Sequence, residues 1–108
     1  MRSLMTSPPE GRGEPLQLSG DLTAREVPAI YARSLAWRVA GAVPAMVGLA
    51  AVTRADSSAL ALLLEWQSWA HSRGTDIEFT DPPRALRTFA SLSEVSSLLG
   101  WSGETGAN

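Results

Sequence analysis

The chain has no cysteine, no lysine and a single histidine, and each shortage closes off a class of chemistry. Without cysteine there are no disulfides and no thiolate metal sites, and nothing marks an oxidising compartment. His71 has no second His or Cys with which to build a zinc site, and its place on a polar helix flank predicts a solvated side chain. A Ser-His-Asp arrangement could draw only on His71, and no Gly-x-Ser-x-Gly elbow is present. Neither a Gly-rich phosphate loop nor a Walker lysine occurs. Glu65 and Asp76 lack a spacing that suggests general acid–base work. No catalytic residue, no cofactor and no metal are therefore expected, and the chain does not read as an enzyme. Nine basic residues against eleven acidic ones leave a net charge of −2, so nucleic acid is not an expected partner. Long apolar runs are missing too. The longest, Ala40 to Val52, is broken by Gly41, Pro44 and Gly48 and is too short to span a bilayer. The first residues lack the apolar stretch of a secretory signal. A soluble, cytoplasmic protein without direct membrane insertion is expected, any membrane association coming through a partner.

What is present fits one domain, because 108 residues leave room for one core. Residues 1–15 hold Pro8, Pro9, Gly11, Gly13 and Pro15 and read as a mobile leader, with a short strand at Ser3–Met5 left open. Residues 16–101 form the folded domain, and 102–108 are a flexible tail. Leu16-Gln17-Leu18 alternates and stops at Ser19-Gly20, the pattern of a strand and a turn. Thr23 to Trp37 reads as a helix capped by Thr23 or Asp21, with Pro28 near its start. Ala45 to Val52 is apolar at every position and short, which predicts a central strand buried on both sides. A second helix spans Ser57 to about Arg73 and stops at Gly74. Asp76 to Thr80 alternates with Ile77 and Phe79 inward, and Asp81-Pro82 opens a third helix running to about Ser91. Ser93 to Leu99 gives a short last helix closed by Gly100. Strands alternating with helices over short connections predict an α/β fold, a small mixed sheet with helices packed on it.

The most informative segment is Asp56-Ser57-Ser58, where the central strand meets the second helix. Side chains of these types accept hydrogen bonds from the unpaired amides of a first helical turn. The same amides, with the positive end of the helix dipole, would stabilise an added phosphate. The segment therefore reads either as a cap or as a switch. Along the helix, Ala59, Leu62, Leu63, Trp66 and Ala70 recur at helical spacing and define a core face. Ser57, Ala61, Glu65, Ser68 and Ser72 lie opposite. Leu64 projects on the polar side and Trp69 sits at the boundary beside Ser58 and Glu65, so both are expected to anchor a partner. Asp-Ser before a helix also resembles the attachment serine of acyl carrier proteins, but those are all-helical and the two strands do not suit them.

Leu16-Gln-Leu-Ser-Gly-Asp-Leu22, then Met46-Val-Gly-Leu49, then Asp56-Ser57-Ser58-Ala59-Leu60, together resemble the STAS domain family of sulfate-transporter and anti-sigma-antagonist domains. The likeness spans Leu16 to Trp101. It implies a strand, a loop with Asp-Ser/Thr, and a helix that starts at this loop and faces partner proteins. Within the family the sequence is most similar to the MlaB type, the small cytoplasmic subunit of a phospholipid ABC transporter that maintains outer-membrane lipid asymmetry. Leu60-Ala-Leu-Leu-Leu64 reproduces the Leu-Ala-Leu-Leu-Leu that follows Asp-Thr-Gly-Gly in that branch. Two positions depart from the pattern. Ala59 replaces a glycine after the hydroxyl pair, and Gly48 replaces a residue that is often polar.

The resemblance implies two alternative roles. In the first, the chain is a non-catalytic partner of an ABC transporter ATPase subunit, peripheral to the inner membrane through that partner. Asp56, Ser57 and Ser58 would dock on the ATPase together with Ala61, Leu64, Glu65 and Trp69. In the second, the chain antagonises an anti-sigma factor kinase and is switched by phosphorylation of Ser57, the position of the family's phosphoacceptor. The Leu60–Leu64 run favours transport.

Overall fold

The computed structural model describes residues 12–101. Their elements, in chain order, are β1 (Arg12–Gly13), β2 (Leu16–Leu22), α1 (Val27–Ala40), β3 (Val43–Pro44), β4 (Met46–Ala55), α2 (Ser57–Ser72), β5 (Glu78–Thr80), α3 (Arg84–Leu92) and a closing 3-10 turn at Ser96–Leu99. The leader through residue 11, the strand left open at Ser3–Met5 and the tail at 102–108 lie outside the described residues. Arg12 and Gly13 fall within the expected leader, yet they pair as β1 with β3.

The apolar middle run becomes β4, which lies between β2 and β5 in the order β2-β4-β5. The α/β fold of a small sheet with helices packed on it is as expected. Both pairings of β4 are parallel, as is the β1–β3 pairing, so among the described residues every pairing is parallel and none gives the sheet the mixed character expected. The reason is connectivity: a helix lies between each pair of neighbouring strands, and such crossovers return the chain in the same direction.

Leu18, Leu22, Val47, Leu49, Val52, Ile77 and Phe79 supply the strand side of the core. Burial of β4 on both sides, as its sequence suggests, does not hold throughout, since Ala50 and Ala51 are exposed. The register explains this. Gln17 pairs with Gly48 but Ser19 with Ala51, and Gly20 pairs with Val52 but Asp21 with Arg54, so β4 carries an extra residue twice. Each extra residue shifts the inward–outward alternation of the pleat. The expected turn at Ser19-Gly20 is part of the same irregularity: β2 runs on to Leu22, and Gly20 takes a φ of 77° that an L side chain resists.

α1 starts at Val27, later than expected, but Thr23 does hold its lead-in turn. The amides of Glu26 and Val27 donate to the Thr23 carbonyl. The Glu26 carboxylate accepts from the Thr23 amide at 2.9 Å, the side-chain half of a capping box. Asp81 does not cap α3. It sits at a φ of 54°, and the helix starts three residues on, at Arg84, behind Pro83. α2 packs against α1 on one side and against α3 and the 3-10 turn on the other. Trp66 is fully buried, and its Nε1 donates to Ser34 Oγ at 2.9 Å, which fixes α1 to α2. Gln67 is also buried. Its Nε2 donates to the Ile77 and Leu98 carbonyls, and its Oε1 accepts from the Ile77 amide at 2.8 Å.

Candidate functional site

At the end of β4 the backbone stays extended through Asp56 (φ −128°, ψ −169°) before turning into α2. That geometry lets the Asp56 side chain reach both the helix start and the neighbouring loop. Oδ1 accepts from the Ser58 amide at 2.8 Å, and Oδ2 accepts from the Ala24 amide at 3.0 Å. One carboxylate thus ties the carboxyl ends of two adjacent parallel strands, β2 and β4, to the start of α2. The Ala24 amide is the chief reason its pKa lies below the ordinary aspartate value; the Ser58 amide and hydroxyl act in the same direction, against partial desolvation.

With Asp56 serving as the cap, Ser57 is left for something else. It is the first residue of α2 and is exposed, and its hydroxyl makes no hydrogen bond with the described residues. Ser58 is half-buried beside it. Further along the same face, Ala61, Glu65 and Ser68 are exposed and Leu64 is half-buried, packed partly against the core. Val27 and Tyr31 of α1 meet Ser58, Ala61, Leu62 and Glu65 across a groove of about 440 Å³. On its other flank the Asp56 loop borders a depression of about 600 Å³ shared with Thr23, Thr53, Arg54 and Arg84. In open α/β sheets the carboxyl ends of the strands are where ligands and partners commonly meet the fold.

Six of the seven expected contact residues are thus brought onto one end and one face of α2. Trp69 is the exception and must be corrected. It is 9 % exposed and belongs to the core. Its ring lies 5.8 Å from that of Tyr31 and 6.4 Å from that of Trp37, Arg38 Cζ lies over it at 5.3 Å, and Nε1 donates to Glu65 at 3.0 Å. A wheel drawn for α2 alone places Trp69 at a boundary because the wheel does not contain α1, which covers that flank. Gln67 escaped notice for the converse reason, although a glutamine between Leu63 and Ala70 on the apolar arc is a usable signal of a buried hydrogen-bonding role.

His71 is exposed and faces Asp76 at 2.7 Å. Among the described residues no group of three or more His, Cys, Asp or Glu side chains could hold a metal ion. No helix among them is long and apolar enough to cross a membrane.

A family model described as "Mlab, STAS domain" matches residues 9–100. A search of curated proteins returned no match. The matched stretch takes in all the described elements from β1 to the closing 3-10 turn and therefore the whole of the site.

Proposed function

This chain belongs to the STAS domain family, a generally non-enzymatic family of small regulatory and interaction domains, and from that premise we propose that it is a subunit of a phospholipid-transporting ABC complex. In this reading it binds the complex's ATPase subunit from the cytoplasmic side, is peripheral to the inner membrane through that contact, and stabilises or biases the ATPase without hydrolysing nucleotide.

The observation that carries the reading is the division of labour at the start of α2. Asp56 caps the helix at the Ser58 amide, while the exposed Ser57 hydroxyl has no hydrogen-bond partner among the described residues and lies near a small residue, Ala61, and an apolar-walled groove. A surface shaped to a small neutral hydroxyl tolerates threonine and rejects a carboxylate, which would be buried without a counter-charge. Ser57→Thr should therefore retain the partner. Ser57→Asp should leave the fold intact, since an acid suits a helix N-terminus, but should abolish or sharply reduce complex formation. Thermal melts alongside gentle native pull-downs, with mass spectrometry of what co-purifies, make the test. Recovery of no ABC ATPase, or full binding by Ser57→Asp, would refute the assignment.

The exposed hydroxyl also favours one alternative. A kinase can reach it, and a phosphate there adds ~1.5–2 negative charges beside Asp56. An anti-sigma factor antagonist would use that charge to leave its kinase. A phosphorylated Ser57 in the native protein, with an anti-sigma kinase in the pull-down, would select this role over transport.

A further inference from the structure

Away from Ser57, the C-terminal ends of α1 and α2 border an open cavity of about 190 Å³ lined by Trp37, Val43, Trp69 and the exposed Arg38, Ser72 and Arg73. Among the described residues, two guanidinium groups and no carboxylate line it. Arg38 Cζ lies over the Trp69 ring, 5.3 Å from its centroid, a cation–π contact. Arg73 folds over the end of α1, with Nη2 only 2.8 Å from where a Cβ on Gly41 would stand. Glycine at that position, with its φ of 76°, is what admits the guanidinium. Neither guanidinium makes an ion pair or a hydrogen bond with the described residues. Glu65, whose carboxylate accepts from Trp69 Nε1, pairs with neither. The Ser72 hydroxyl already donates to the Trp69 carbonyl, so the two guanidiniums are the charged donors of the lining.

We propose that this cavity is an anion site for a phosphate group, held between Arg38 and Arg73. Two guanidiniums on one small, partly aromatic-walled space, with no acidic partner among the described residues, suit an anion with several oxygens and more than one charge. A carboxylate meets one fork, whereas a phosphate meets both. The phosphate can be free or can belong to a lipid headgroup. Val39, 91 % exposed, and the exposed Leu35 lie on the same helix as Arg38 and are apolar groups open to the second source.

The test titrates the isotope-labelled protein with sodium phosphate against sodium chloride at constant ionic strength, reading the indole signals of Trp37 and Trp69. Flotation runs in parallel, with phosphatidylcholine vesicles that contain or lack phosphatidic acid. Saturable shifts with phosphate alone assign a soluble ligand. Capture by phosphatidic acid vesicles and not by phosphatidylcholine vesicles assigns a headgroup. In either case Arg73→Gln should weaken binding about ten-fold or more, while Arg33→Gln, on the opposite flank of α1, changes nothing. If Arg38→Gln loses stability along with its contact with Trp69, Arg73→Gln decides the result. No response beyond that of chloride and phosphatidylcholine, or binding unchanged in Arg73→Gln, would overturn the proposal.

Discussion

Replacing Gln67 tests how α2 holds the far edge of the sheet. The side chain makes three hydrogen bonds from a buried position, two to Ile77 and one to the Leu98 carbonyl. Ile77 is 2 % exposed and lies just before β5, so its amide and carbonyl have little water to turn to if the glutamine is lost. Leu98 is about half exposed, and its carbonyl can be rehydrated at less cost. In Gln67→Leu, two stranded groups at roughly 1–3 kcal/mol each set the loss at about 3 kcal/mol. In a domain of this size that corresponds to a fall in Tm of ~12–24 °C. Gln67→Glu adds a pH signature. Its carboxylate can still accept from the Ile77 amide but turns an oxygen toward two carbonyls, and burial together with that repulsion raises its pKa in the folded state. A raised carboxyl pKa makes the penalty complete above the folded value and absent below the unfolded one, about 4.3. The Tm gap from the parent should therefore be widest at neutral pH and shrink as the pH falls toward 4. Differential scanning fluorimetry across that range is the assay. A Gln67→Leu variant that melts with the parent, or a Gln67→Glu gap that does not change with pH, would show that the contact carries no weight.

Elements announced by local chemistry could be read from the chain. Pro44 and the polar Thr53-Arg54 pair frame an apolar run too short for a helix, and it is the central strand. Gly74 and Gly100 mark chain reversals by their positive φ, close to where α2 and the last turn end. The outward stripe of Ser57, Ala61 and Glu65 was equally legible, because nothing in the described structure covers it and a single wheel suffices. Features that depend on a second element were not legible. The two irregularities of β4 exist only relative to β2, so Ala50 and Ala51 could not be told from core residues by composition. Trp69 becomes core only once Tyr31 and Trp37 arrive from α1. Asp81-Pro82 has the composition of a cap, but the chain there serves the exit from β5, and the helix waits for Pro83. The same limit applies to the arginine cavity. Arg38 and Arg73 are 35 positions apart and meet only because α1 and α2 end side by side.

Three further outcomes follow from the packing and the electrostatics. Trp69→Ala should cost ~3–5 kcal/mol of folding stability in denaturant titration, and Trp69→Phe far less; an unchanged midpoint for the alanine variant would return Trp69 to the surface. Glu94, at a φ of 61° just beyond the C-cap of α3, sits where glycine is favoured. Glu94→Gly should gain up to ~1 kcal/mol, with Glu94→Ala giving no such gain. The last outcome concerns Asp56. Its pKa is held below the ordinary aspartate value, first by the Ala24 amide and then by the amide and hydroxyl of Ser58. A depressed carboxyl pKa contributes stability that is complete above the unfolded value and is lost as the pH falls through the lower folded value. Below about pH 4 the parent should thus lose stability partly by protonating this cap. Glu26, lowered chiefly by the Thr23 hydroxyl, adds a contribution of the same sign. Asp56→Asn keeps a side chain that caps well but does not titrate, so its melts should fall less steeply than the parent's as the pH drops from 5 to 2. Because the same carboxylate orients the start of α2, Asp56→Asn should also retain the partner at neutral pH, whereas Asp56→Ala should weaken the complex by loosening the presentation of Ser57. Parallel acid melting curves for the parent and Asp56→Asn would show that the charge does not secure this corner. Full binding by Asp56→Ala would separate the hydroxyl's role from the cap that positions it.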